Sequence, residues 1–298
     1  MVSSWLRLVR VPLAASAVTD ILAGASVTGP THFRITWGLL IAASASLCLY
    51  AGGMVLNAIV DRDEDRTLAP HRPLPRGEIS LRAARAAAIV APLLALALAS
   101  LLSARCGALV LLIEAIILVY HVVLKRSVWL GPFSLGLIRA LNLLVGEVVM
   151  LAPQEAFSSA SLVFPLAYAA YVFGASLVAA LEDRGFDALR FWLGVALPPA
   201  ALVAIVPLAP ERGLPPVGQL VASLPAAVYL IFVISRLPRR AALRASLAPL
   251  RPFAGLLLLG CYVFAATVAA GVGQMALAAC ILLLFVASRR LATSFSPS

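Results

Sequence analysis

The chain has 298 residues, 62% of them apolar, with 13 carboxylates against 23 basic side chains and a formal charge of +10. Its long, almost uncharged runs and mean hydropathy of +1.02 exclude an ordinary soluble enzyme. Basic residues with no interleaved aromatics exclude a nucleic-acid groove, so the positive charge is read as a membrane-topology and anionic-lipid signal.

The apolar runs are too long and continuous for barrel strands. The expected fold class is therefore all-α, a polytopic helical membrane protein of nine to ten spans, as one domain over residues 1–298. The first predicted span, 11–28, follows Arg7 and Arg10, contains Asp20 and has no convincing cleavage site, so it is expected to stay in the mature protein. The second, 36–56, runs into Asn57-Ala-Ile-Val-Asp61-Arg-Asp63-Glu64-Asp65-Arg66, which crowds four carboxylates into five residues at the end of a membrane-length run. Like charges packed so closely need cations or solvent to offset them.

On a helix end Asn57, Asp61 and Asp65 fall one turn apart on a single face. That face offers an amide oxygen and two carboxylates to a hard cation such as Mg²⁺. Asp63 and Glu64 fall off it and read as a solvated terminus. Downstream, Pro70, Pro73, Pro75 and Gly77 predict ordered turns in place of a continuous helix across the loop 57–82.

Spans 83–103 and 106–124 come next; the latter holds Glu114, Tyr120 and His121 and leads to Lys125, the one lysine of the chain. The fifth span, 129–152, carries Arg139 and Asn142 one turn apart, and Glu147. Polar groups inside a membrane are expensive enough to demand a reason. For Arg139 two readings stand open: an interhelical ion pair with Asp20 or Glu114, or a direct contact with substrate. His121, near the inner edge, is expected to make hydrogen bonds and not to act as a base.

The sixth span, 160–181, ends in Glu182, Asp183 and Asp187, repeating the four-residue spacing four helices after its first occurrence and suggesting an internal repeat. Two facing stripes could hold metal ions against a diphosphate, with Arg66, Arg72 and Lys125 as phosphate clamps. Spans 190–208 and 217–235 precede a basic segment, 236–251, either a plain connector or an interfacial segment with Leu237, Leu243, Leu247 and Leu250 facing lipid. Residues 253–289 are too many for one crossing, so Gly271-Val-Gly273 is expected to turn a terminal hairpin between spans 253–270 and 274–289. Cys48, Cys106, Cys261 and Cys280 lie in or beside separate runs, so neither a disulfide nor a zinc site is expected.

With the N-terminus inside, nineteen of the 23 basic residues fall on inner segments, which places both acidic motifs on the cytoplasmic face of a plasma (inner) membrane.

The pattern Asn57-xxx-Asp61-xxx-Asp65, then Arg72-Pro73-x-Pro75-x-Gly77, resembles the first signature of the UbiA intramembrane prenyltransferases, and Asp183-Arg-x-x-Asp187 resembles the second. Tyr120 followed by Lys125 is similar to that family's tyrosine-and-lysine element. Within the family, the run from Leu130-Gly131-Pro132 through Gly136, Arg139 and Asn142-Leu143-Leu144 looks most like the UbiA-like protein of Ebo gene clusters.

The resemblance implies a helical bundle with a lipid-open central cavity. In it a prenyl group passes from a polyprenyl diphosphate to an aromatic or other hydrophobic acceptor, with Mg²⁺ as cofactor and membrane lipids as surroundings. Asn57, Asp61, Asp65, Asp183 and Asp187 would carry the metal; Arg10, Arg66, Arg72, Lys125 and Arg139 would hold diphosphate; Tyr120 and Lys125 would serve the reacting centre. Two departures bear on this. Ala58 stands where the family often has Asp, and Arg190 follows Asp187 where a lysine often comes sooner. The competing expectation is a non-catalytic member that binds or moves a hydrophobic precursor. Alternating access would be needed for that, whereas both acidic motifs lie on one face.

Overall fold

The computed structural model describes residues 2–27, 33–151, 159–206, 216–238 and 247–295; the side chains of Asp183 and Arg184 lie outside the description. Among the described residues every regular element is helical: α1 Val2–Leu8, α2 Val11–Ser26, α3 Trp37–Val60, α4 Arg62–Leu68, α5 Leu81–Leu102, α6 Ala104–Val122, α7 Leu130–Met150, α8 Ser159–Arg184, α9 Ala188–Ile205, α10 Pro216–Ser235, α11 Leu250–Leu259, α12 Cys261–Gly271 and α13 Met275–Phe295. Among the described residues eight spans, α11 and α12 together making one, are long and apolar enough to cross a bilayer; α1 with α2, bent by 59°, would make a ninth. Helix α13 covers the predicted tenth span, reached through a turn with Gly273 at φ 84°, as the Gly-Val-Gly signal implied.

Local chemistry sets the helix starts. Thr36, Ser80 and Ser103 each turn a side-chain oxygen onto a backbone N–H of the first turn, at 3.2, 3.2 and 3.1 Å, in α3, α5 and α6. Ser103 is the whole connection between α5 and α6, so those two helices form a tight antiparallel pair.

Small residues set the close approaches, as they must where lipid removes the hydrophobic drive between helices. A Cβ on Gly24 would collide with the Leu143 carbonyl, and one on Gly146 with the Ile21 carbonyl, so α2 and α7 meet backbone to backbone. Gly52 of α3 packs on Pro92 of α5, where a Cβ would come within 3.2 Å of the proline ring.

Two apolar cores result. One joins α2, α3, α5, α6 and α7 around Leu39, Ile113 and Val145; the other joins α8 to α13 around Tyr168, Leu202 and Phe264. The span 250–271 is 78% buried and forms the inside of the second half, whereas α5, at 11%, turns Ile89, Val90, Leu93 and Leu101 outward to lipid.

A third, small cluster of Leu8, Val55, Leu74, Ile79 and Ala84 lies under the loop after α4 and holds it against α1, α3 and α5. Of the two readings of the segment 236–251, the one with leucines facing lipid is not met by those described. Leu250 is fully buried in α11, and Leu237 and Leu247 pack on the second core, so these leucines do not face lipid; Leu243 lies outside the described residues. Their apolar character serves the bundle because the segment ends in a helix that enters it.

Candidate active site

Asp61 is where the second span breaks: it ends α3 and starts α4 with φ −84° and ψ −1°. The backbone hydrogen bonds Asp61 N–H to Asn57 C=O (2.9 Å) and Asp65 N–H to Asp61 C=O (2.8 Å) nevertheless continue across the break. The predicted one-turn spacing thus survives although the helix does not. Asn57 Nδ2 donates to Asp61 Oδ2 at 3.0 Å, which turns the amide oxygen the other way.

Lys125 completes this arrangement from 64 residues away. It sits in a single 3₁₀ turn, Leu124–Arg126, between α6 and α7. Its Nζ donates to Asn57 Oδ1 at 3.0 Å, to Asp61 Oδ1 at 2.6 Å and also to Asp61 Oδ2. The ammonium thus meets three oxygens of the first acidic motif.

Asp65 is buried on α4, and Arg72 Nη1 donates to its Oδ1 at 2.6 Å. Arg72 belongs to the predicted turn system, closed by Arg72 N–H to Ala69 C=O (3.0 Å), Gly77 N–H to Leu74 C=O (3.1 Å) and Glu78 N–H to Pro73 C=O (3.0 Å), with Gly77 at φ 72°. The prolines and the glycine therefore act as expected. They fix the arginine, and buried Leu74 and Ile79 pin the loop below it.

Beside the Asn57–Asp61–Lys125 group lies a cleft of about 60 Å³ lined by Arg7, Arg10, Asn57, Asp65 and Arg72, with Pro73 to Pro75 as one wall. Arg10 caps α2 in the left-handed conformation, φ 49° and ψ 54°, the one non-glycine among the described residues with positive φ. Tyr50 holds it there by donating to the Arg10 carbonyl at 3.2 Å. A strained residue so placed, at the kink between α1 and α2, is common where geometry serves a site.

Arg7 is the lining residue that sequence reasoning missed. It pairs with Glu78, which also receives Arg76 Nε at 3.3 Å. The Glu78 carboxyl lies below the usual range, chiefly through a hydrogen bond from Ser4 and then through Arg7 and Arg76. Arg7 lies on α1 and Arg10 at the left-handed kink after it, so helical spacing gave no signal for the pair.

Other predicted residues are placed elsewhere. Arg66 pairs with exposed Asp63 at 3.0 Å and does not line the cleft. Tyr120 lies at the end of α6 with its ring edge-on to His121, 4.9 Å between centroids. Arg139 is deep in the bundle: Nη2 donates to Asp20 Oδ1 (2.9 Å), Tyr168 OH (2.8 Å) and the Ser16 carbonyl (3.2 Å). Tyr168 OH donates to the same Asp20 oxygen at 2.6 Å, and Asn142 Nδ2 reaches the other at 3.0 Å. Of the two open readings for Arg139, the ion pair with Asp20 is the contact made.

The second acidic motif is built differently. Gly185 at φ 85° ends α8, and Asp187 caps α9, its Oδ1 accepting from Arg190 N–H at 2.8 Å with Arg190 Nε 3.3 Å away. That backbone hydrogen bond, with the guanidinium adding to it, holds the Asp187 carboxyl below its usual range. The Asp183 side chain lies outside the described residues, and among the described residues no three carboxylate, histidine or cysteine groups converge as a metal cage.

Comparison with known proteins gives the family and the fold. The family model described as the UbiA prenyltransferase family matches residues 17–248. A digeranylgeranylglyceryl phosphate synthase of Saccharolobus solfataricus is 26% identical over 63% of this chain and 65% of its own length. One from Methanoculleus marisnigri is 34% identical over 45% of this chain, and the match spans 47% of that protein; one from Methanopyrus kandleri is 27% identical over 76% of this chain and 86% of its own. The chain thus spans less than two thirds of the length of the first two. The apo structure of a UbiA homologue from Aeropyrum pernix K1 superposes with a TM-score of 0.62 at 23% identity, covering 87% of this chain and 97% of that one. That of a UbiA homologue from Archaeoglobus fulgidus bound to GPP and Mg²⁺ gives 0.58 at 21% identity, covering 92% and 99%. At these identities the likeness is one of fold.

Proposed function

This chain belongs to the UbiA prenyltransferase family, and from that premise we propose that it transfers a prenyl group from a polyprenyl diphosphate to an aromatic or other hydrophobic acceptor within the membrane. The observation that carries this reading is the cleft in which Arg7, Arg10 and Arg72 gather next to the Asn57–Asp61 oxygens. Polyanion donors and cation acceptors side by side suit a diphosphate bound through a divalent metal.

The donor set fits Mg²⁺. Two carboxylate oxygens and an amide oxygen, the hard ligands that ion prefers, already gather on one cation, the Lys125 ammonium. Asn57 and Asp61 would hold the metal, with Asp65 beside them, and Asp183 and Asp187 would complete the set from the second motif. When bound, the metal neutralises charge on a departing diphosphate.

The chain's own residues do the rest. Arg7, Arg10 and Arg72 orient the diphosphate against the loop wall, and Lys125 offsets charge that builds on the leaving oxygen. By the family resemblance Tyr120, at the end of α6, would line the reacting centre, although it is not among the residues lining the cleft. In this reading Arg139 supports α2 and α7 instead of touching diphosphate, and Arg66 stays at the rim.

A single domain over residues 1–298 is part of this reading, and the nineteen basic residues assigned to inner segments support a cleft facing the cytoplasm from the plasma membrane. The run from Leu130 to Leu144 supports the Ebo-cluster branch. The relatives' names, digeranylgeranylglyceryl phosphate synthase, add a lipid glyceryl phosphate to the acceptors worth offering.

The test is release of diphosphate from labelled polyprenyl diphosphates of several lengths by purified protein with Mg²⁺, with and without aromatic and glyceryl phosphate acceptors. Release that disappears in Asp61→Asn supports transfer. No release with any acceptor, alongside intact binding of the diphosphate, supports the non-catalytic carrier.

A further inference from the structure

We infer that Lys125 is a tethered counter-ion of the metal seat, and that a divalent cation binds there more tightly together with a diphosphate that takes the displaced lysine. The inference rests on the reading of Asn57 and Asp61 as metal ligands and goes beyond it to the order and coupling of binding.

Three observations lead there. The ammonium fills the seat: it bonds Asn57 Oδ1 and both oxygens of Asp61, so no cation can take the same three oxygens while it stays. The backbone beneath it is fixed. Ser127 N–H donates to the Leu124 carbonyl at 2.8 Å, and a Cβ on Gly131 would come within 3.1 Å of that carbonyl and 3.7 Å of the Lys125 Cα, so α7 closes on the turn and leaves motion to the side chain. The residue type suits a mobile charge. An ammonium on a four-carbon stem has three rotatable donors and can leave one set of oxygens for another, which the rigid guanidinium fork does less readily. This is the single lysine among 23 basic residues, at the one described position where a basic side chain grips both oxygens of the first motif's Asp61.

The consequence follows from linkage. Without diphosphate, a metal ion expels the ammonium from the Asp61 oxygens to solvent, with the lysine side chain already 31% exposed. With diphosphate in the arginine-lined cleft, the expelled lysine meets phosphate oxygens, so each ligand strengthens the other by the same factor.

The experiment is equilibrium binding of Mn²⁺, followed by its electron paramagnetic resonance, to wild type, Lys125→Met and Asp61→Asn in nanodiscs, with and without a non-hydrolysable prenyl diphosphate analogue. In the absence of the analogue, Lys125→Met should bind Mn²⁺ about tenfold more tightly than wild type, a change of the size coupling energies usually take. The strengthening of Mn²⁺ binding by the analogue, large in wild type, should shrink toward unity in Lys125→Met. A ¹⁵N-lysine-labelled chain offers one Nζ resonance, which should shift when Mn²⁺ is replaced by Mg²⁺ with analogue present.

Wild-type Mn²⁺ binding that depends on Asp61 and the analogue, with no gain in Lys125→Met alone, would overturn this inference and leave the proposed function standing. No Mn²⁺ bound by any variant under any condition would overturn both. A Lys125→Met that binds Mn²⁺ more weakly in both conditions would make the lysine a supporting ligand of the site and overturn the exchange.

Discussion

Two carboxylate–cation pairs in this protein have similar partners and opposite surroundings. Asp20 with Arg139 lies in the middle of the bundle, the aspartate wholly buried, and Arg139, Tyr168 and Asn142 between them donate to both of its oxygens. Asp61 with Lys125 lies at the membrane edge beside an open, arginine-lined cleft, with the lysine side chain 31% exposed. A buried carboxylate with both oxygens so filled has little left to offer a ligand. An open one exchanges partners cheaply, because solvent or an incoming ion replaces what is lost.

The comparison breaks or sharpens under substitution. The largest effect is expected at the buried pair: Arg139→Met leaves a buried carboxylate without its cation and should lower stability by about 4 kcal/mol, read as the shift in thermal unfolding in detergent. If Arg139→Met melts with wild type but loses diphosphate affinity, the pair belongs to the site after all. Next comes Asp61→Asn, which should weaken metal-dependent diphosphate binding about 100-fold while unfolding with wild type, measured by titration of an analogue with Mg²⁺. A large loss of stability there would erase the contrast.

The second motif comes third. Asn caps a helix as well as Asp does, so Asp187→Asn should preserve the unfolding temperature while Asp187→Ala lowers it. If Asp187 is also a metal ligand, both should weaken metal-dependent diphosphate binding; if both retain wild-type binding, the residue is only a cap.

A smaller effect is expected from Glu78. Its folded pKa is depressed, so its stabilisation of the Arg7 and Arg76 contacts is present above the ordinary glutamate range and is lost as pH falls through the lowered value. Glu78→Gln should therefore flatten the acid limb of the stability profile between about pH 5 and 3, and an unchanged limb would remove Glu78 from the support of the cleft. Smallest of all, Arg66→Gln should leave diphosphate affinity within about twofold, because its partner is an exposed rim charge.

The two acidic motifs also show how far a sequence can be read. Asn57, Asp61 and Asp65 share one spacing with Asp183 and Asp187, and that spacing was visible at once. It did not reveal that α3 breaks at Asp61 while its hydrogen bonds continue, or that Gly185 ends α8 so that Asp187 becomes the cap of α9. Arg7 was passed over because a basic residue before a first span reads equally well as a topology signal. Its place in the cleft depends on the kink at Arg10 and on Glu78 from a loop 71 residues away.

The sequence by itself determined the class of fold, the helix positions, the terminal hairpin at Gly271-Val-Gly273 and the ordered loop after α4. Those rest on local quantities: apolar run length, proline and glycine backbone limits, and side-chain caps that act within four residues. Only the tertiary structure decided which cation each carboxylate meets. Arg139 goes to Asp20 rather than Glu114 because Gly24 and Gly146 let α2 and α7 touch, and Lys125 reaches Asp61 because α6 ends beside the break in α3. Charge pairing acts over a few ångströms in space and is blind to distance along the chain, so an enclosed pair and an open one look alike until the helices are packed.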